Sequence, residues 1–465
     1  MLIRRVELDA AGLADVRIEA GGITAIGAQL ARQRDEAELD AEGAALLPGL
    51  HDHHLHLRSL AAARASVACG PPQIQTGTAL AAALHAAAAT LDQHGVWLRG
   101  IGYHESVAGE IDRDWLDQHG PAQPLRIQHR SGRLWLLNSL ALQQLEVGEG
   151  GDPLERLAGR CTGRLYDADD WLRSRLPRQR ISLHPVSQLL ASYGVTGVTD
   201  TTPQNGRDSW HDFAAAQARG ELLQQLMLMG DGSLDAVQDQ PGLLRGARKF
   251  HLHEHELPAF DTLCAEIRQS HRAGRGAAFH CVTRTDLVFA LAALCEAGGH
   301  AGDRIEHASV TPPELLSGLL AQGLTVVAQP HFIHERGDQY VQDVAAEDQP
   351  WLYRLRGLLD AGVPLAAGSD APFGDPDPWA AMQAAVSRRS RSGTVMGADE
   401  ALTPEQALAL FSSPLAAPGS AARRVAVGQP ADLCLLDRSW AEARRDLAAV
   451  RVRQTWRDGL SIFVR

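Results

Sequence analysis

The chain has 465 residues, 44 of them basic and 56 acidic, for a net charge of −12, and 45% of it is hydrophobic. That apolar share suffices for a large core and excludes global disorder. The acidic balance, with no dense Lys/Arg run, argues against a nucleic-acid partner, and no apolar stretch is long enough to span a membrane.

In chain order, residues 1 to about 47 read as short strands with turns; "VRIEAGGITAIG" places β-branched residues around a Gly-Gly turn. The C-terminal end, "GQPADLCLLD" and then "VRVRQTWRDGLSIFV", is alike. Residues 1–50 and 420–465 are therefore expected to form one composite β-sandwich around a catalytic domain at 51–419.

Next comes "LLPGLHDHHLHL" (46–57), with four histidines and an aspartate in six positions. Seven further apolar runs read as buried strands: 194–200, 222–229, 247–253, 276–281, 304–308, 324–330 and 363–370. Helical patterns such as "DLVFALAALCEAG" and "PPELLSGLLAQG" lie between them and end in glycine, as helix C-termini do. Eight strands in this alternation predict an α/β fold, a (β/α)8 TIM barrel. Residues from about 60 to 185 are too long for a crossover and read as an insertion after the first barrel strand, with strands of its own at "WLRGIGY" and "PLRIQHR".

Side chains two apart in a strand share a face. His54 and His56 can thus both enter the barrel mouth and grip one metal ion, with Asp52 on the same side. In a chain with 20 histidines such a pair is often structural. The odds change because His280, His307 and Asp370 each fall at the C-terminal end of a predicted barrel strand, the face where barrel enzymes keep their chemistry. Lys249, the only lysine among the basic residues, falls in the fourth strand. A lysine there can take up carbon dioxide as a carbamate and bridge two metals; arginine, always protonated, cannot. The six cysteines, Cys69, Cys161, Cys264, Cys281, Cys295 and Cys434, lack CxxC spacing. With an N-terminus that lacks a signal-peptide core, they imply free thiols in the cytoplasm.

"PGLHDHHLH", "RIEHA", "AGVPLAAGSDAP" and "GQPADLCLLD" together resemble the signatures of the amidohydrolase superfamily. "LLNSLAL", "CTGRLYD", "GVTGVTD" and "VVAQPHF" extend the resemblance to its N-substituted formamide deformylase-like branch. The resemblance implies a TIM barrel with a composite β-sandwich, and a metal centre at His54, His56, Lys249, His280, His307 and Asp370. One divalent ion would sit on His54, His56 and Asp370, a second on His280 and His307, bridged by carboxylated Lys249. Zinc suits this set, with manganese, iron or cobalt as alternatives. The implied reaction is attack of a metal-activated hydroxide on an amide, N-formyl or N-acyl carbon of a small molecule, a C–N bond other than a peptide bond. Asp370 would carry the proton to the leaving amine.

Departures from the branch fall around the expected pocket. Lys249 is followed by "FHLHEHELP" in place of an Asp-Gly stretch, Arg284 occupies an acidic position, and Arg133 replaces a histidine. His331 is the candidate substrate contact, and the segments 331–340 and 371–379 are candidate pocket walls. Asp52 and Glu306 are candidates to support the ligands, although Glu306 alternates away from its neighbour His307. His253 and His255 read as solvated or as supporting the ligands from behind, and Trp97, Tyr103 and Trp135 as core of the insertion. Competing activities are a cyclic-amide hydrolase of the dihydroorotase or hydantoinase type and an aminohydrolase. The latter carries a glutamate where this chain has Thr283. A catalytically inactive scaffold would be expected to have lost ligands, and none is missing here. Oligomeric state is left open, with a homo-oligomer compatible.

Overall fold

A computed structural model describes the chain except residues 9–11, 91–95, 149 and 178–180. Contacts divide it into two compact units, residues 1–57 with 183–465 and residues 58–182.

The larger unit is built on eight parallel strands, β1 (Leu50–Leu55), β2 (Val195–Asp200), β3 (Gln225–Gly230), β4 (Leu243–His251), β5 (Ala277–Cys281), β6 (Arg304–His307), β7 (Thr325–Ala328) and β8 (Leu365–Ala367). They pair in sequence order from β1 to β8. Backbone hydrogen bonds then join the two ends: Asp370 N–H donates to the His54 carbonyl (2.6 Å), and His56 N–H donates to the Ala371 carbonyl (2.9 Å). The sheet is thereby a TIM barrel, with helices between its strands. Every residue of β1 and β2 is buried, as parallel strands covered on both faces require. The helix Arg284–Ala297 opens on a Thr283–Asp286 capping box and closes on Gly298, whose φ of 85° suits glycine.

The run "LLPGLHDHHLHL", read as one strand, is two. Leu46–Pro48 pairs with Leu433–Leu435 in a four-stranded terminal sheet, and β1 starts only after Gly49. A Cβ on Gly49 would lie 2.3 Å from the Thr196 side chain of β2, so only a glycine lets the chain pass from one sheet to the other here. The second terminal sheet orders Gly22–Gly27, Leu13–Glu19, Leu2–Glu7 and Glu38–Asp40. Ile3, Val16 and Ile18 from it pack with Leu433, Leu435 and Trp456 from the other in one core.

The smaller unit contains a six-stranded mixed sheet, with Leu98–Tyr103 and Leu125–His129 parallel at its centre and Leu134–Leu137 antiparallel beside them. Tyr103 packs into the core on one face of this unit, and Trp97 and Trp135 into a second core. All six cysteines are free thiols. Among the described residues, no helix is long and apolar enough to cross a membrane.

Candidate metal centre

The barrel puts His54 fifth in β1 and His56 just past its end, Lys249 seventh in β4, His280 fourth in β5 and His307 last in β6. Asp370 lies three residues beyond β8. These positions share the C-terminal mouth. Nitrogen and oxygen atoms of His54, His307 and Asp370 lie within 4.8 Å of one another, and all three residues are buried. Asp370 Oδ1 is 3.4 Å from His54 Nε2 and 3.2 Å from His56 Nε2. The His307 ring centroid lies 4.8 Å from that of His54 and 4.4 Å from that of His280. Lys249 Nζ is 3.9 Å from Glu306 Oε1, too far for a hydrogen bond.

Each of the first two histidines is held by its far nitrogen. His54 Nδ1–H donates to Glu306 Oε2 at 2.5 Å, and His56 Nδ1–H donates to Thr202 Oγ1 at 2.9 Å. Both Nε2 atoms are thereby turned toward Asp370 Oδ1, held from behind as the rings of metal-binding histidines are. Asp200, at the end of β2, locks the frame by accepting from Leu57 N–H at 2.8 Å and Thr202 N–H at 3.0 Å.

Glu306 belongs to the centre, contrary to what alternation along β6 suggests. His307 has a φ of 68° and Ala308 one of 48°. The pleat therefore ends at Glu306, and the period of two cannot be carried one residue further. Glu306 is fully buried and is gripped by Arg304 through Nε at 2.5 Å and Nη2 at 2.9 Å. Burial alone would raise its pKa, but Arg304, Lys249 and His54 hold it well below the usual carboxylate range. Asp52 takes a different part: its Oδ1 accepts the backbone N–H of His54 and of Ser369, each at 3.0 Å, so it splices β1 to the segment after β8. Burial lifts its pKa to about 6. His51 and His53 turn the other way, onto the Ser413 carbonyl and hydroxyl.

The electrostatics sort the imidazoles. Burial pulls His307 down to about 3 and His280 further, so both are neutral, the form that binds metal. For His54, burial is outweighed by Glu306 and Asp370, which raise its pKa. Burial lowers Lys249 to about 8, against the attraction of Glu306. Asp370, despite burial, is kept ionised by His54 and His56.

Three atoms decide whether these residues fit a metal. Both ring nitrogens of His307 and the Lys249 amine are buried with no hydrogen-bond partner. Orphaned buried polar groups are rare and costly, and all three adjoin the His54–Asp370 pair. An imidazole–carboxylate set with unused lone pairs suits a divalent transition ion.

His331 is 2% exposed. Its Nε2–H donates to the Ser369 carbonyl at 2.9 Å, one residue before Asp370, which leaves a buried Nδ1 with no partner. The expected departures fall as follows. Arg284 forms an ion pair with Asp348, Arg133 pairs with Asp167 on an exposed surface, and Thr283 is spent on its helix cap. His253 and His255 are exposed. One neighbour went unread in the sequence: His251, the last residue of β4, has its ring 4.2 Å from that of His280. Register with β5, which sets His251 opposite His280, is the signal that would have found it.

A family model described as "Amidohydrolase family" matches residues 37–463. The chain is 26% identical to the N-substituted formamide deformylase of Arthrobacter pascens, over 97% of this chain and 95% of that one. A metal-dependent hydrolase from Pyrococcus horikoshii OT3 superposes with a TM-score of 0.77 at 19% identity, covering 94% of this chain and 98% of the other. N-isopropylammelide isopropylaminohydrolase from Burkholderia multivorans superposes at 0.55 and 16% identity, covering 99% and 97%. With the family's model running along nearly the whole sequence and its barrel in place, the chain belongs to the amidohydrolase family and is a hydrolase acting on carbon–nitrogen bonds.

Proposed function

We propose that this chain hydrolyses the C–N bond of an N-formyl or N-acyl amine of small-molecule size, using two divalent ions, best zinc, held by His54, His56, Lys249, His280, His307 and Asp370. The observation that carries the reading is the orphaned set: two His307 nitrogens and the Lys249 amine, buried beside an ionised aspartate. A divalent pair supplies Lewis acidity and an activated water near neutral pH. The remaining work belongs to the side chains.

Asp370 has its Oδ1 between two imidazole nitrogens and its carboxyl ionised, so it can accept a proton at that oxygen and return it to the departing amine. Glu306 and Thr202 keep His54 and His56 aimed. Lys249, carboxylated on Nζ, would serve as the bridge. The new negative charge would face a Glu306 already neutralised by the two-point grip of Arg304, so it adds little repulsion. His331, with Nδ1 as an unused acceptor, is assigned to the substrate N–H. The free thiols suit a cytoplasmic setting.

Thr283 separates this reading from ring deamination, because its hydroxyl accepts the Asp286 N–H and offers no carboxyl to shuttle a proton. The similarity to the Arthrobacter deformylase supports acyl transfer to water. The test is a screen of N-formyl and N-acyl amines with zinc-loaded protein, following release of amine and carboxylic acid. Turnover of at least one such class is expected. Ammonia release from ring amines with none from acyl amines would overturn the reading in favour of an aminohydrolase.

A further inference from the structure

In the smaller unit, alternation along the central sheet puts Leu98, Leu125, Ile127 and Leu136 into the core on one face. Arg99 and Arg126 emerge on the other. They are register partners across a parallel strand pair, so their backbones are about 5 Å apart. Both are half-buried, and two like charges this close call for a counter-ion.

None is present among the described residues: neither arginine forms an ion pair there, and Asp169 accepts the Trp135 Nε1–H at 2.9 Å. Arg99 donates to Ser66 Oγ at 3.0 Å and to Gln128 Oε1 at 3.3 Å. Arg126 Nε is buried with no hydrogen-bond partner. The guanidinium of Arg126 lies 6.0 Å from the Trp97 ring and 5.5 Å from the Trp135 ring, and that of Arg99 lies 5.6 Å from Trp135. Trp97, 7% exposed, likewise has a buried Nε1 without a partner. Burial, and for Arg126 the neighbouring Arg99, draws both guanidinium pKa values down, Arg126 to about 10; they remain charged at neutral pH.

Stacking on indole accounts for where the guanidinium planes sit. It leaves Arg126 Nε and Trp97 Nε1, both donors, without a partner. We propose that Arg99, Arg126 and the Trp97 indole N–H form a binding site for an oxyanion, the carboxylate or phosphate of a small molecule, within the inserted unit. Arginine's planar fork matches such groups two bonds at a time. The proposal is independent of the metal centre.

The test is a titration of the full-length protein with inorganic phosphate and, separately, acetate at constant ionic strength. It is read by tryptophan fluorescence and calorimetry. Saturable binding of one of them is expected, with a fluorescence change because two indoles line the site. Arg126→Met, which keeps the stacked stem, is expected to weaken binding by at least about tenfold, the loss of a charge-assisted hydrogen bond. Arg126→Lys should fall between. If Arg126→Met fails to fold, Arg99→Met answers the same question. Anion binding at the metal centre would survive in all three. Absence of saturable binding, or equal affinity in a folded Met variant, would overturn the proposal.

Discussion

Lys249→Ala is expected to lose bound metal and turnover together. The only lysine in the chain sits on β4 with its amine buried, unpartnered and 3.9 Å from Glu306. A plain structural lysine would be expected to close that gap to a hydrogen bond. One destined to carry a carbamate needs the room. Because a carbamate on Lys249 would be a direct metal ligand, metal affinity should fall by more than the about 10–100-fold typical of outer-shell substitutions. Formate, acetate or propionate should restore part of the activity by occupying the vacated bridge. Elemental analysis and steady-state rates with and without these acids check the prediction. An alanine variant with full turnover would remove Lys249 from the centre.

Asp370→Asn is expected to retain most of the metal and to lower kcat by about 10²–10⁴-fold, the usual worth of general acid–base transfer. The amide keeps one oxygen for ligation but no longer accepts the proton. The backbone already holds the residue in place, through the N–H bond to the His54 carbonyl and a φ of 51°. The substitution therefore tests chemistry more than position. Turnover at the original rate with metal retained would assign the proton to another group.

The sequence reveals the barrel because its strands are short apolar runs covered on both faces, several of them ending on or just before a polar residue of the centre. The same logic found His280 and His307 at strand ends, where β5 and β6 place them. It failed where local rules stop. The two-strand division of "LLPGLHDHHLHL" depends on Thr196, far along the chain, leaving no room for a side chain at Gly49. Glu306 was discounted by a pleat that His307 breaks with its positive φ. Asp52, on the correct face by parity, spends its carboxylate on backbone N–H groups, a use that no spacing reveals. His331 falls in a loop as sequence suggests, yet its burial comes from the segment after β8, where a Cβ on Gly374 would lie 2.1 Å from its Nε2.

Elemental analysis of the purified full-length protein tests the central claim most directly. Side chains from β1, β4, β5, β6 and the turn after β8 should retain about two equivalents of a divalent transition metal, as other paired-ion hydrolytic sites do. A chain that is free of metal, and that takes up none when incubated with zinc and bicarbonate, would contradict it.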